Sequence, residues 1–596
     1  MTHPGSIVVG ISAFFHDSAC ALIRDGELVC AAEEERFSRI KHDKSVPRRA
    51  FRYCLEQAGV SIEQVDCIAF YEQPVKKIER QLWMAMQEGA PQAHRLRILQ
   101  DLDPGRLQRE LEKVLGFEGR IEAVGHHEAH AASSFFFSGF EDAAVFTVDG
   151  VGEWTTTAYG RARGAELDLF EEVCFPHSLG LLYSAITAYL GFEVNEGEYK
   201  VMGLAPYGTG RYVERMRALV ESIPGTGQYR LNLAFFDFLA GGEMYSDRLP
   251  ELLGEAPRVP GSELSAFHCD VARSLQIVLE EILLEKVRYL HEQVPSDNLC
   301  MAGGVALNCV ANGQILRQGP FSRLFVQPAA GDSGGALGAA ALVYRRLTGQ
   351  AIARKRLRHA YLGPAWSNQQ IEKLVDGSLL NARDFRGSSE ALLEATVDRL
   401  AAGKVVGWFC GQLEFGPRSL GARSILADPR VPDMRDQINA LVKMREAFRP
   451  FAPAVLSQEA HKHFDLDHPS PFMLETCQVI SELSLPAVTH VDGSARVQTV
   501  DVTEGHRFGQ LLGRFFARTG CPILLNTSFN VKGEPIVCSP LDAILCFLKS
   551  KLDALVLEDF LIDRDTVDAE LLARIASLDD ASAQGSAVSH RVYTFF

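Results

Sequence analysis

Apolar and polar positions alternate at the start of the chain with the period of a strand meander. Ile7 to Phe15 is apolar and β-rich, Ala19 to Ile23 resumes the pattern, and the turn Arg24-Asp25-Gly26 precedes a third run from Glu27 to Ala32. Residues 46–58, PRRAFRYCLEQAG, carry a Pro start, helical spacing and a Gly stop, and a strand follows at Cys67 to Tyr71. The order β-β-β-α-β predicts a mixed sheet packed by helices. Residues 265–293 form the longest helical pattern, and NLCMAGGVALN behind it reads as strand, glycine turn and helix, a second α/β unit. After the helix at Gly338 to Leu347, the basic, poorly periodic run TGQAIARKRLRHAYLGPAW predicts a linker. The expected domains are therefore 1–352 and 353–565. The second alternates helical patterns with short strands such as Val405–Phe409, Ala452–Leu456 and Pro522–Leu525. Residues 566–596, with DDASAQGSAVSH, are expected to form a poorly ordered tail. No short-period repeat is visible.

Composition narrows the function classes. Of 596 residues, 47% are hydrophobic and 23% charged, an ordinary globular balance that excludes disorder and coiled coil. The 60 Lys+Arg against 76 Asp+Glu leave a net charge of −16, which argues against a protein that grips nucleic acid by neutralising phosphates. The 13 cysteines include no CxxC pair and read as reduced core thiols of a cytoplasmic protein. The N-terminal stretch lacks a basic n-region, and no run reaches the ~18 apolar residues of a membrane span, so secretion and membrane insertion are disfavoured.

Candidate chemistry concentrates in glycine-rich turns and one histidine cluster. In GHHEAH, His126 and His130 are four apart, so on a helix their rings share a face and can grip one ion. Asp149, at the end of the strand AAVFTVD, is the natural anionic partner, since α/β folds place functional carboxylates there. The HExxH protease signature fails because Ala131 stands where its second His would be. A helix start with one buried imidazole is the competing reading. GDSGG at 331–335 satisfies two serine-hydrolase patterns but flows into a helix. It reads better as a phosphate-facing turn whose Asp332 can reach a metal, with Gly334 beside the ligand. Paired Gly303 and Gly304 let a nucleotide approach the backbone, with Asn308 as a hydrogen-bonding partner. With Gly150, Gly152 and Glu153 of DGVGEW, these turns suggest a nucleotide cleft between two α/β lobes. No Walker A sequence is present, so phosphate binding would follow an actin-like plan.

In the C-terminal half, Arg418, Arg423, Lys443, Arg445, Arg449 and Arg496 interleave with Gly, Pro and Phe, alongside the donors Asn526 and Ser528. Cations among apolar residues in an acidic chain predict a second site for a polyphosphate.

The blocks GISAFFHDSA, EEERFSRIKHD, HHEAHAASSFFFSGF, DGVGEW, EYKVMGLAPYG, AGGVALN, AGDSGGALGAA, EFGPRSLGARSILADPR, MREAFRPFAPAV and NTSFNVKGEPIV stand in this order between residues 10 and 537. Together they resemble the NodU/CmcH-type O-carbamoyltransferases. The resemblance implies an α/β protein: an actin-like (ASKHA) two-lobed N-terminal domain similar to TsaD, and a C-terminal YrdC-like α/β domain. It implies that carbamoyl phosphate and ATP, with Mg²⁺, give carbamoyl-adenylate in the YrdC-like domain. The carbamoyl group then passes to a hydroxyl of a small natural product in the N-terminal domain, as in antibiotic and other secondary metabolite pathways. It further implies that His126, His130, Asp149 and Asp332 hold an ion, iron in the family, although two imidazoles and carboxylates suit Fe²⁺, Zn²⁺ or Mn²⁺ alike.

His16, just past the first strand, is expected as general base on the acceptor hydroxyl, with Asp17 as its rival; its unperturbed pKa of about 6.5 suits the task. His42 is a second candidate that could instead orient carbamoyl phosphate. Acceptor-contacting loops are expected within 72–100 and 210–262. Two rivals share parts of this pattern: a threonylcarbamoyl-type tRNA-modifying enzyme, which would want a basic face, and a non-catalytic actin-like nucleotide sensor, which has no use for the histidine pair.

Overall fold

The computed structural model describes residues 5–86, 103, 105–239, 243–350, 352–353, 355–443, 446 and 448–582, the side chains of Lys443 and residues 576–582 excepted. The chain forms two compact units. The first runs to Glu35 and from His42 to Leu357; the second takes Arg36–Lys41 and the chain from Arg358 onward. The boundary lies a few residues beyond 352, and the short excursion at Arg36–Lys41 leaves no mark in the periodicity. Its anchors are guanidinium to carbonyl bonds: Arg36 donates to Gly416 O at 2.8 Å, and Arg39 to Pro535 O at 2.8 Å.

The first unit contains one supersecondary plan twice. Strands β1 (Ile7–Ser12), β2 (Ala19–Arg24), β3 (Glu27–Glu33), β4 (Cys67–Phe70) and β5 (Arg120–Ala123) form a sheet of order β3-β2-β1-β4-β5. The β1-β2-β3 meander is antiparallel, and β1, β4 and β5 are parallel. Strands β6 (Asp142–Val148), β7 (Thr155–Arg163), β8 (Glu166–Cys174), β9 (Asn298–Ala302) and β10 (Arg323–Val326) repeat this order and these directions. Each last parallel strand feeds a helix, α4 (His126–Ser138) after β5 and α7 (Asp332–Thr348) after β10. Between the strands lie α1 (Arg48–Ala58), α2 (Pro74–Ala85), α3 (Arg106–Leu115), α5 (Ala266–Gln293) and α6 (Cys309–Gln318). This duplicated meander with parallel crossovers is the actin-like architecture.

The two terminal helices are packed unusually closely. A β-carbon at Gly338 of α7 would lie 1.8 Å from Ala129 O of α4, and one at Gly10 of β1 would lie 1.8 Å from Ala336 O. Only hydrogen fits between these backbones. Helix α4 is buried at every residue except Glu128, as its run of Ala, Ser and Phe requires.

The second unit is a mixed α/β fold around an eight-stranded sheet. Its strands are β11 (Arg383–Asp384), β12 (Val406–Phe409), β13 (Arg423–Ala427), β14 (Ala452–Leu456), β15 (Gln498–Val500), β16 (Ile523–Ser528), β17 (Ala554–Leu557) and β18 (Phe560–Asp563), in the order β11-β18-β17-β12-β13-β16-β14-β15. Helices α8 (Ser389–Ala401), α9 (Arg507–Thr519) and α10 (Pro540–Lys549) cover it over a core that includes Trp408, Phe515 and Phe529. The expected tail needs correction. Residues Ala569–Ser582 form a helix, α11, whose Leu571, Leu572 and Ile575 pack on this core, with Leu571 N–H donating to Asp568 Oδ1 at 2.9 Å. Composition counted its Ala, Ser and Asp content and missed the apolar face. Residues 583–596 lie outside the described residues. Among the described residues no helix is long and apolar enough to cross a membrane.

Candidate active site

The two halves of the first unit converge on four side chains. His126 and His130 come from the first turns of α4, Asp149 from the end of β6, and Asp332 from the start of α7, and all four are buried. The Nε2 atoms of the two histidines lie 3.0 Å apart. His126 Nε2 is 3.1 Å from Asp149 Oδ2 and 3.7 Å from Asp332 Oδ1; His130 Nε2 is 3.7 and 3.8 Å from the same oxygens. One ligand atom from each residue lies within 4.8 Å of the others.

The donor set fits a divalent transition metal. The two Nε2 atoms face the same two carboxylate oxygens, a set of ligand atoms that suits such an ion, and among the described residues neither Nδ1 has a hydrogen-bond partner. The charges are strongly coupled. Burial opposes the charge of Asp149, yet His126 and His130 hold it well below the usual carboxylate range. Burial likewise opposes charging of His126, but Asp149 and Asp332 push its pKa up to about 9, whereas burial raises Asp332. Nearby His127 is driven well below the ordinary value by burial and by its charged neighbours.

The surrounding glycines and Glu153 hold the cluster in shape. Gly304 N–H donates to Asp149 Oδ1 at 2.7 Å. Gly303, at φ +96°, brings its backbone so close to β6 that a β-carbon would meet Val148 O at 2.3 Å. A β-carbon at Gly152 would press on the His126 ring at 2.9 Å, and one at Gly334 would strike Ala329 O at 2.2 Å. Gly150 O accepts from Ser178 Oγ at 2.7 Å. Glu153, expected at the nucleotide, instead accepts from the backbone N–H of His126 at 3.0 Å and of Gln73 at 2.6 Å, which caps α4. Asn308 also changes role: its Oδ1 caps α6 through Ala311 N–H, and its amide pairs with Gln276. Gly152, Gly303 and Gly334 thus allow close approach around the four-residue centre, while Glu153 and Asn308 cap helices beside it.

The first hairpin, in the same place in the first half as Asp149 in the second, carries the other group. His16 Nδ1 lies 2.9 Å from Asp17 Oδ2, and His42 Nδ1 lies 2.7 Å from Asp17 Oδ1. Glu35 Oε2 accepts the backbone N–H of His42 at 2.8 Å. Asp17, Glu35 and His42 therefore also converge, and their mutual hydrogen bonds account for it. Burial opposes a charged His16, but Asp332 and Asp17 raise its pKa to about 9.

Tyr71 escaped the pattern reading. Its buried phenol donates to Asp332 Oδ2 at 3.3 Å, and its ring lies 5.2 Å from that of His126. The available signal was its position, one residue past a parallel strand.

In the second unit the expected cations separate. Arg423 is fully buried on β13, donates to the carbonyls of Gly411 at 2.9 Å, Ala422 at 3.0 Å and Pro364 at 3.1 Å, and stacks on Phe409 with 3.6 Å to the ring centre. Burial depresses its pKa. That is a structural guanidinium rather than a polyphosphate ligand. Asn526, also buried, donates to Gln498 Oε1 at 2.8 Å and to Ser419 O. Arg418, Arg449, Arg496 and Ser528 are half-buried and keep access to solvent. Arg449 pairs with Glu446 at 3.6 Å, and Ser528 Oγ donates to Asn530. The side chain of Lys443, and Arg445, lie outside the described residues, as do parts of the expected acceptor loops.

Comparison with known proteins finds the following similarities. Residues 7–341 match the family described as Carbamoyltransferase N-terminus, and residues 397–564 match Carbamoyltransferase C-terminus. An uncharacterised protein of Synechocystis sp. is 45% identical over 94% of this chain and 97% of its own. Nodulation protein NolNO of Sinorhizobium fredii is 40% identical over 95% of this chain and 81% of its own, and nodulation protein U of Rhizobium tropici is 30% identical over 87% and 90%. Among solved structures, T. kodakarensis HypF is 13% identical with a TM-score of 0.30, covering 58% of this chain and 48% of that one. With both domain families matched in order, the chain belongs to the carbamoyltransferase family.

Proposed function

We propose that this carbamoyltransferase is an ATP-dependent O-carbamoyltransferase that makes a carbamate ester on a small hydroxyl-bearing natural product. Carbamoyl phosphate gives up its phosphate to water as inorganic phosphate, and the carbamate oxygen so freed attacks the α-phosphorus of MgATP, releasing pyrophosphate and leaving carbamoyl-adenylate, with Arg418, Arg449, Arg496 and Ser528 of the second unit as the groups that receive the polyphosphate. The carbamoyl group is then passed on in the first unit. The observation that carries the reading is the buried His126, His130, Asp149 and Asp332 cluster at the junction of two actin-like halves, together with the His16 hairpin.

His126, His130, Asp149 and Asp332 would hold the metal, Fe²⁺ or another divalent transition ion. When bound it supplies Lewis-acid polarisation of a carbonyl or phosphoryl oxygen. The chain's own groups do the rest. Glu153 and Gly304 fix the orientation of His126 and Asp149 through backbone hydrogen bonds. His16 removes the acceptor's hydroxyl proton. The four centre residues are buried, which would shield a carbamoyl group reacting beside them from water.

The deciding experiment is pyrophosphate release from ATP by the purified protein. Release that depends on carbamoyl phosphate supports the reading, and release without it, or none, removes it. A cytoplasmic location and a free small-molecule acceptor, with no nucleic acid, belong to the same proposal.

A further inference from the structure

The loop carrying His16 and the loop carrying His42 are joined into one rigid piece. Phe14 N–H donates to Lys44 O at 2.8 Å, and Ser18 N–H donates to Asp43 O at 2.8 Å. Within this piece Phe14, Asp17 and His42 hold φ of 76°, 51° and 55°, in the left-handed region that non-glycine residues occupy at a cost. Three such residues in two joined loops show that the surrounding structure enforces the positions of their side chains. What that strain produces is a single carboxylate between two imidazoles: Asp17 Oδ2 faces His16 Nδ1 at 2.9 Å, and Asp17 Oδ1 faces His42 Nδ1 at 2.7 Å.

An ionised carboxylate can only accept, so both rings must donate to it from Nδ1. The His42 and His16 charges hold Asp17 well below the ordinary carboxylate range against its burial, so it is ionised throughout the working pH range. With Nδ1–H committed, the lone pair of a neutral His16 resides on Nε2.

We propose that Asp17 is the positioning residue of the transfer step: it accepts Nδ1–H from both His16 and His42, with His42 as the brace, and so presents His16 Nε2 as the base. The inference rests on the carbamoyl-transfer reading and deepens it. In the step, the acceptor O–H proton passes to His16 Nε2 while the acceptor oxygen bonds to the carbamoyl carbon. The bond from that carbon to the adenylate phosphate oxygen breaks, and its electron pair leaves on AMP. The imidazolium that results lies against Asp17, as a triad carboxylate supports its histidine. Asp17 is the weaker base of the two, because the rings hold its carboxyl well below the ordinary range.

The test compares Asp17→Asn, Asp17→Glu and His42→Gln with the wild type, all metal-loaded. An Asn amide can accept from one ring but must donate to the other, so it forces one imidazole into the wrong tautomer. His42→Gln keeps an N–H for Asp17 and is expected to lose far less. Single-turnover AMP release from enzyme-bound carbamoyl-adenylate, with water and methanol as acceptors, is followed from about pH 5 to 9. In Asp17→Asn it is expected to fall by about 10²–10⁴-fold, and its rising limb to move to lower pH, with partial recovery in Asp17→Glu. The groups facing His16 are Asp17, Asp332, Asp149 and Glu198, and those facing Asp17 are His16 and His42, with Glu35 on the His42 backbone. Of these only Asp17 changes in the Asn variant, so the shift is assigned to it. Metal content and carbamoyl phosphate-dependent pyrophosphate release should be unchanged. An unshifted limb at wild-type rate, or joint loss of metal and pyrophosphate release, overturns the proposal. Absence of pyrophosphate release in the wild type removes the carbamoyl-transfer reading instead. The positioning claim is then decided by ¹⁵N resonances of the neutral His16 ring, recorded above about pH 9, where an Nε2–H tautomer in the wild type overturns it.

Discussion

Gly338→Ala tests whether the metal centre depends on the contact between α4 and α7. The new β-carbon would sit 1.8 Å from Ala129 O, 2.7 Å from Ala129 C and 2.8 Å from Ser133 N. All three are backbone atoms, so no rotamer change relieves the clash, and ordinary contact needs about 3.5 Å. The helices must therefore part by roughly 1.5 Å at this point. Ala129 lies between His126 and His130, and Gly338 lies on the same helix as Asp332, so the displacement pulls the imidazoles away from a carboxylate. Metal sites tolerate about 0.2 Å in ligand distance. Overpacking should cost about 1–3 kcal/mol of stability. Loss of ligand placement should weaken metal binding by at least the 10–100-fold typical of supporting-residue mutations, about 1.4–2.8 kcal/mol. Chelator competition gives the affinity and thermal melting the stability. Gly513→Ala serves as control, since that helical glycine has open space around it and Ala should stabilise by up to about 1 kcal/mol. Wild-type metal affinity and melting in Gly338→Ala would refute the argument that these helices set the site.

Three further outcomes are expected. His126→Ala or His130→Ala should strip the ion and abolish transfer, because one of four ligands is gone; metal analysis of each purified variant with full occupancy would contradict it. Arg449→Ala or Arg418→Ala should slow carbamoyl phosphate-dependent pyrophosphate release while transfer from supplied carbamoyl-adenylate survives, and equal loss of both would point to one composite site. In the second unit, the Glu475 hydrogen bonds at 3.0 Å raise His468 to about 9 against its burial. A raised folded-state pKa means that this stability is complete below about pH 6.5 and disappears as pH climbs through about 9. With the His468 side chain 38% exposed, solvent screening reduces it to about 1 kcal/mol. Denaturant melts at pH 6 and pH 9.5 should differ less in His468→Gln than in wild type.

Periodicity exposed the elements and not their duplication. The runs at Ile7, Ala19 and Glu27 are plain strands in sequence, and so are Asp142–Val148 and Asn298–Ala302, but the halves share no residue pattern, only an order of pairing. Spacing located His126 and His130, since a helix turns four residues into one face, and the strand end located Asp149. It could not distinguish a glycine that admits a ligand from one that admits another backbone. Gly303 and Gly334 lie close against Val148 O and Ala329 O, and Gly304 against the Asp149 side chain, contacts that spacing does not reveal. Arg423 shows the same limit. An arginine among Gly, Pro and Phe was read as a cation awaiting an anion, whereas main-chain carbonyls satisfy it. Those acceptors come from residues as distant as Pro364, and local sequence cannot show them. Tyr71 and the Asp17 bridge were illegible for the same reason, being contacts between elements far apart in the chain.

The duplication also explains why the centre is built as it is. The first half contributes nitrogen, His126 and His130 of α4, and the second contributes oxygen, Asp149 and Asp332. Neither half holds more than two ligands, so an ion is bound tightly only when both halves are in register. By linkage, whatever binds the assembled arrangement better than the separated one must stabilise it. An ion held there would therefore clamp the lobe arrangement as well as serve as a candidate Lewis acid. The helix pair that sets the register, α4 and α7, is the pair in which Gly338 leaves no room for a side chain. Opposite Asp149, the equivalent hairpin of the first half bears His16 and Asp17. One half of a repeated scaffold thus offers the proposed base where the other offers a candidate metal ligand, and divergence at these two equivalent turns suffices to give a symmetric plan a reacting side and a holding side.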